Sequence, residues 1–280
     1  MALKATYFKL LSFAAMAVVI GCFSFNRQTN TLVNPDGSTV STRFLSPKDY
    51  TRTSATPGSF AEYLQGLSLK PNGSLVHYYN GQKKPNKVAA AVLTMDVGPK
   101  DLQQCADAVM RLRAEYLLKQ KKYSDLHFNF TNGFRADYSK WRSGYRISVK
   151  GNTVSWVKTD KESSSYQSFR EYMDMVFNYA GTASLSLELK AVPLAQMQIG
   201  DVFIKGGSPG HAVIVVDMAI DPKTKRQLFM IAQSYMPAQD IHILMNRDKP
   251  GISPWYELDP GASSINTPEW VFTKDQLMRF

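Results

Sequence analysis

The sequence predicts an α+β fold. Two long segments carry apolar residues at helical spacing, and the C-terminal third is a succession of β-rich runs joined by turn residues. Mixed helices with antiparallel strands follow from that order. No internal repeat, low-complexity tract or linker interrupts the chain from about residue 59 to 280, so the reading is one domain. The composition, 44% hydrophobic and 20% charged over 280 residues, is that of a globular protein. The net charge of +10 is spread without a lysine/arginine block or a nucleic-acid motif, so nucleic acid is not an expected partner.

The elements follow in chain order. "MALKATYFKLLSFAAMAVVIGC" places Lys4 and Lys9 before an apolar run from Leu10 to Gly21. A run of about twelve residues is too short to span a bilayer, which takes roughly 20, and reads as a leader. It ends in Val19-Ile20-Gly21-Cys22, which resembles a bacterial lipobox. Residues 1–22 are therefore expected to be a lipoprotein signal peptide, with Cys22 acylated and first in the mature chain. An ordinary secretion signal is the other reading. Loss of Lys4 and Lys9 with the leader leaves +8. Phe23 rather than Asp follows the cysteine. By resemblance to the sorting rule, that implies the periplasmic face of the outer membrane. Residues 23–43, polar and turn-rich, read as a tether, and the domain as 44–280.

"GSFAEYLQGLSL" gives a helix start, with Ser59 as cap and Glu62 three residues on. Residues 74–79 read as a strand turning at Asn80-Gly81, and "AAAVLTMDVG" as a further strand. In "DLQQCADAVMRLRAEYLLKQKK", Leu102, Cys105, Ala106, Val109, Leu112 and Tyr116 recur at helical spacing. Asp101 and Gln104 form a capping-box-like pair there, which puts Cys105 in the first turn. "LHFNFTNGF" alternates like a strand, and "YRISVKGNTVSWVK" is a hairpin about Gly151-Asn152. "SSYQSFREYMDMVFNYAG" is a second helix, ended by Gly181. "DVFIK", "HAVIVVDMA" and "QLFMIAQSY" are three strands, the last two joined by "DPKTKR".

Two catalytic patterns overlap at "GDVFIKGGSPGHAVIVVDMA". Gly206-Gly207-Ser208-Pro209-Gly210 fits the G-x-S-x-G pattern of a serine nucleophile. That elbow needs a helix after the serine, and here Pro209, Gly210 and a β-branched run follow, so Ser208 is read as part of a strand-to-strand loop. A phosphate-cradling loop fails for the same reason. His211 is the second pattern. The chain has two cysteines, and if Cys22 carries lipid, Cys105 has no disulfide partner. The first helical turn and a nearby imidazole both lower a thiol's pKa, so Cys105 is expected to be an activated nucleophile with His211 as its base. Asp217 lies six residues along the same strand, about 20 Å away at roughly 3.3 Å per residue, and cannot orient that ring. The hairpin instead brings Gln233 opposite or diagonal to His211. Asp96 reads as a turn residue or a cleft-lining group. His77, His127 and His242 lack metal spacing, and neither metal nor cofactor is expected.

The order of these parts resembles the NlpC and CHAP cell-wall hydrolases. Their cysteine caps a helix, a Gly-Asp strand follows, a Gly-His strand carries the histidine, and a polar residue lies on the next strand. "AQMQIGDVFIKGGSPGHAVIVVD" and "MIAQS" carry the resemblance. It implies a papain-like core of a helix on an antiparallel sheet, with extra N-terminal elements and an insertion between cysteine and histidine. It implies Cys105, His211 and Gln233 as the catalytic set, and the Cys105 backbone N–H, with Gln104 near it, is expected to face the oxyanion. Taken together, "DLQQCADAVMRLRAEYL", "HFNFTNGF", "AQSYMPAQDIHIL" and "SPWY" resemble a family of bacterial lipoproteins known as a domain of unknown function. The expected activity is cysteine-dependent amide hydrolysis on envelope (peptidoglycan) peptides. The alternative is a non-catalytic envelope lipoprotein whose cleft binds a ligand or protein partner, with Cys105 a small core residue.

Overall fold

A computed structural model describes residues 32–280. The leader, Cys22 and the tether up to residue 31 lie outside the described residues.

The fold is organised around the apolar run His211–Ile220, the histidine strand. Its β-branched residues suit a strand covered on both faces. Ala212, Ile214 and Val216 face one apolar core, and Val213 and Val215 face the other. A bulge leaves Val216 without a partner between the Asp217–Met230 and Val215–Ile231 pairs, and this reverses the alternation. Asp217 therefore shares the face of Val216, where Arg52 and Gln65 donate to its carboxylate at 2.8 and 2.7 Å. The bulge removes Asp217 from the histidine's surroundings by orientation as well as by distance.

The sheet has nine strands, and every pairing in it is antiparallel. From the centre outward on one side come the glutamine strand Gln227–Gln233, His242–Leu244 and Ala89–Val92; on the other side come Val202–Lys205, Leu277–Arg279 and Lys190–Ala191. Thr51–Arg52 and Tyr256–Leu258 pair with the ends of the histidine and glutamine strands that lie away from His211. The fold is thus a mixture of helices and mostly antiparallel sheet, and residues 32–280 form one compact unit.

The helix Cys105–Lys119 packs on one face of this sheet, with Cys105, Ala106, Val109, Leu112 and Tyr116 all buried. Its start differs from the expected cap. Gln104 is the extended N-cap residue, and its N–H donates to the Asp107 carboxylate at 3.0 Å. Asp101 instead accepts from the Gln104 side-chain amide and from the Ala238 N–H. That ties the helix start to the loop after the glutamine strand. The helix Tyr166–Tyr179 is capped by the Ser165 hydroxyl, and beyond Gly181 a further helix, Thr182–Glu188, forms that the sequence reading did not anticipate. Two hairpins, His127–Asn129 with Arg135–Asp137 and Tyr145–Lys150 with Thr153–Lys158, lie outside the main sheet.

Two expectations are corrected. Residues 32–43 belong to the fold rather than to a tether: Val40 and Phe44 are fully buried, Val33 bridges to Phe44, and the buried Arg43 donates to the Gly37 carbonyl. Polar composition hid the apolar anchors. Residues 74–79 do not form a strand; His77 and Tyr78 make single bridges, to Lys83 and Gln239.

Candidate active site

A cleft of about 460 Å³ opens where the cysteine helix meets the start of the histidine strand. Cys105, His211, Gln104, Ser208, Tyr235 and Trp270 are among its lining residues. A larger cleft of about 760 Å³, lined by Tyr63, Arg111, Glu115 and Tyr166, holds neither the thiol nor the imidazole.

His211 is buried, and its ring packs against Tyr235, Trp270 and Phe272 at centroid distances of 4.7, 5.3 and 5.8 Å. Its Nε2 lies 2.8 Å from Gln233 Oε1. The hairpin geometry that pointed to Gln233 thus brings it to the ring. Behind Gln233 the chain continues. Gln233 Nε2 donates to Glu269 Oε2 at 2.7 Å and lies 3.4 Å from His242 Nε2. His242 Nδ1 is 2.9 Å from the Asp240 carbonyl oxygen, and Lys84 Nζ pairs with Glu269 Oε1 at 2.7 Å. Burial lowers both imidazoles to about 4, against the opposing hydrogen bonds that His211 donates to Gln233 and His242 to the Asp240 carbonyl.

Cys105 is the first helical residue and is 7% exposed. The backbone amides of Ala212, Ala106 and Cys105 itself act on the thiol in the direction that lowers its pKa. The expected depression of the thiol pKa is not what the fold produces. Burial outweighs the amides and pushes the thiol up to about 11. At neutral pH the thiol and the imidazole that line this cleft both rest neutral.

Gln104 lines the cleft, but its backbone N–H is taken by Asp107 and its side-chain amide donates to Asp101 at 3.1 Å. The first-turn amides that act on the sulfur belong to Cys105 and Ala106. Ser208 sits in the loop between two antiparallel strands, with no helix after it. Gly207 takes φ +99° there, and a Cβ on Gly210 would collide with the Gly207 carbonyl and the Thr182 hydroxyl. Asp96 is exposed and pairs with Arg111 and Arg170 in other clefts.

His127 stands apart, whereas His77 and His242 both neighbour Asp240, through its carboxylate and its carbonyl oxygen respectively. Among the described residues no cluster of His, Cys, Asp and Glu is arranged to hold a metal. From the sequence His242 is weighed only as a metal ligand, and Glu269 and Lys84 are not singled out. They stand far apart along the chain and share no periodic signal. Among the described residues no helix is long and apolar enough to cross a membrane.

A family model described as a domain of unknown function (4846) matches residues 40–279 of the chain. No curated protein and no solved structure matches it.

Proposed function

We propose that this chain, which belongs to the family described as a domain of unknown function (4846), is a cysteine-dependent amide hydrolase of the bacterial cell envelope. One observation carries the reading. Cys105, at the first position of a buried helix, and His211, whose Nε2 is held by Gln233, line the same cleft. A papain-like core, in which a helix starting at the cysteine packs on an antiparallel sheet led by the histidine, is the finer description of the fold that goes with it.

In this reading Cys105 Sγ bonds to the amide carbon as its proton passes to His211 Nδ1, the ring nitrogen not engaged by Gln233. The amides of Cys105 and Ala106 donate to the oxyanion. Collapse of the tetrahedral adduct breaks the C–N bond, and His211 returns the proton to the leaving amine. Water, deprotonated by the same imidazole, then cleaves the thioester and frees the thiol. Because both groups rest neutral, proton transfer accompanies attack rather than preceding it.

Peptidoglycan peptides are the proposed substrate. Asp101 lines the cleft and no lysine or arginine does, which favours a peptide segment that is neutral or carries a free amine. A lipid on Cys22 would hold the domain at the periplasmic face of the outer membrane. The second reading, a cleft that binds an envelope protein or ligand without catalysis, is favoured by the burial of Cys105 and its raised thiol pKa.

Mass spectrometry of muropeptides incubated with the protein separates the two. Hydrolysis adds one water and yields paired products with a new amine and a new carboxyl end. Fragments that stay intact but bind support the second reading.

A further inference from the structure

We propose that Glu269 is a positioning residue for His211. It holds the Gln233 amide so that Oε1, not Nε2, faces the imidazole, and so leaves Nδ1 as the nitrogen that accepts the thiol proton. The inference deepens the hydrolase reading and rests on it for its catalytic meaning.

A glutamine amide can be turned end for end with little change in shape, so its partners must decide its orientation. Two groups face the Gln233 nitrogen. Glu269 is a carboxylate whose two oxygens meet Lys84 Nζ at 2.7 and 2.8 Å, and a carboxylate only accepts. His242 is also an acceptor toward Gln233. Its Nδ1 lies 2.9 Å from the Asp240 carbonyl oxygen, which cannot donate, so Nδ1 carries the hydrogen and Nε2 is bare. The two amide hydrogens of Gln233 thus each have an acceptor, and Oε1 is left for His211 Nε2 at 2.8 Å. His211 must then carry its hydrogen on Nε2.

Turning the amide over would set Oε1 against the Glu269 carboxylate. It would also set an N–H against His211 Nε2, which moves the ring hydrogen to Nδ1. An Nδ1–H cannot take a proton from the thiol. Lys84 and Glu269 have side chains only 4% and 13% exposed. A buried ion pair is costly to desolvate and is weak evidence for stability. Its place directly behind the one amide that sets the imidazole gives it a role in the site.

The test reads the His211 tautomer by long-range proton–nitrogen correlation in histidine-labelled protein, together with the rate at which iodoacetamide alkylates Cys105 at pH 7. Lys84→Met with Glu269→Leu removes the stronger acceptor without leaving a buried lone charge, and the 3.4 Å contact to His242 is too long to hold the amide alone. His211 should then shift toward the Nδ1–H form, and alkylation should slow tenfold or more. Lys84→Met with Glu269→Gln gives Gln233 an amide oxygen to donate to, and should restore both readouts toward wild type.

The proposal is overturned if the Met/Leu variant keeps the Nε2–H tautomer. It is overturned with no substitution at all if wild-type His211 is found as Nδ1–H. The hydrolase reading fails separately, if His211→Ala leaves the wild-type alkylation rate unchanged; the tautomer still decides the part assigned to Glu269.

Discussion

Replacing Cys105 with alanine is expected to lower amide cleavage by about a thousandfold or more, the scale of losing a nucleophile, while the protein stays folded. The residues that remain cannot substitute for the sulfur. His211 would still hold a water near the amides of Cys105 and Ala106, but a water is a weaker nucleophile than the thiol. Ser208 shares the cleft but lies in a loop between two antiparallel strands, without the helix that aims a serine nucleophile. Ser208→Ala should therefore keep the rate within a few-fold. Removing one buried sulfur at the helix start costs about 1 kcal/mol, which an ordinary domain tolerates. Circular dichroism and the rate on one muropeptide check both halves. The wild-type kcat/KM is expected to rise as pH passes upward through the imidazole value of about 4, because only the neutral ring can accept the thiol proton.

The second large effect is on stability. His242 titrates near its ordinary 6.5 in the unfolded chain and at about 4 when buried in the folded one. Between those values the unfolded chain holds a proton that the folded one excludes. Stability therefore rises with pH across this window. The contribution is complete above about 6.5 and is lost as pH falls toward 4. His211 acts with the same sign. Asp107 and Asp217, whose carboxyl pKa values burial raises, act with the opposite sign. The clean quantity is therefore a difference between proteins. On going from pH 7 to pH 4.5, wild type should lose about 2 kcal/mol more stability than His242→Gln, by urea unfolding. Equal losses would mean that His242 is not excluded from protonation by the fold.

What could be read from the sequence was what depends on local geometry. The helix at Cys105 and the strand at His211 follow from periodicity. The approach of Gln233 follows from counting residues across the "DPKTKR" turn, because a hairpin fixes its own register. Glu269, Lys84 and His242 could not be read that way. They reach Gln233 through the strand order of the sheet and through a C-terminal segment that returns to it, and neither is encoded in a local pattern. The thiol pKa was misjudged for a related reason. The first-turn amides are visible in the sequence, but burial is a property of the assembled core, and it prevails. The cap was displaced from Asp101 to Gln104 because the loop at Ala238 claims the Asp101 carboxylate, a contact across 137 positions of sequence.

The most direct test of the central claim is alkylation of Cys105 by iodoacetamide in the native protein at pH 7, with wild type and His211→Ala compared side by side. The account predicts measurable native labelling that becomes faster as pH rises toward the thiol value of about 11, and at least a tenfold slower rate without the imidazole. Labelling that appears only in denaturant, or that proceeds equally fast in the two proteins, would contradict it.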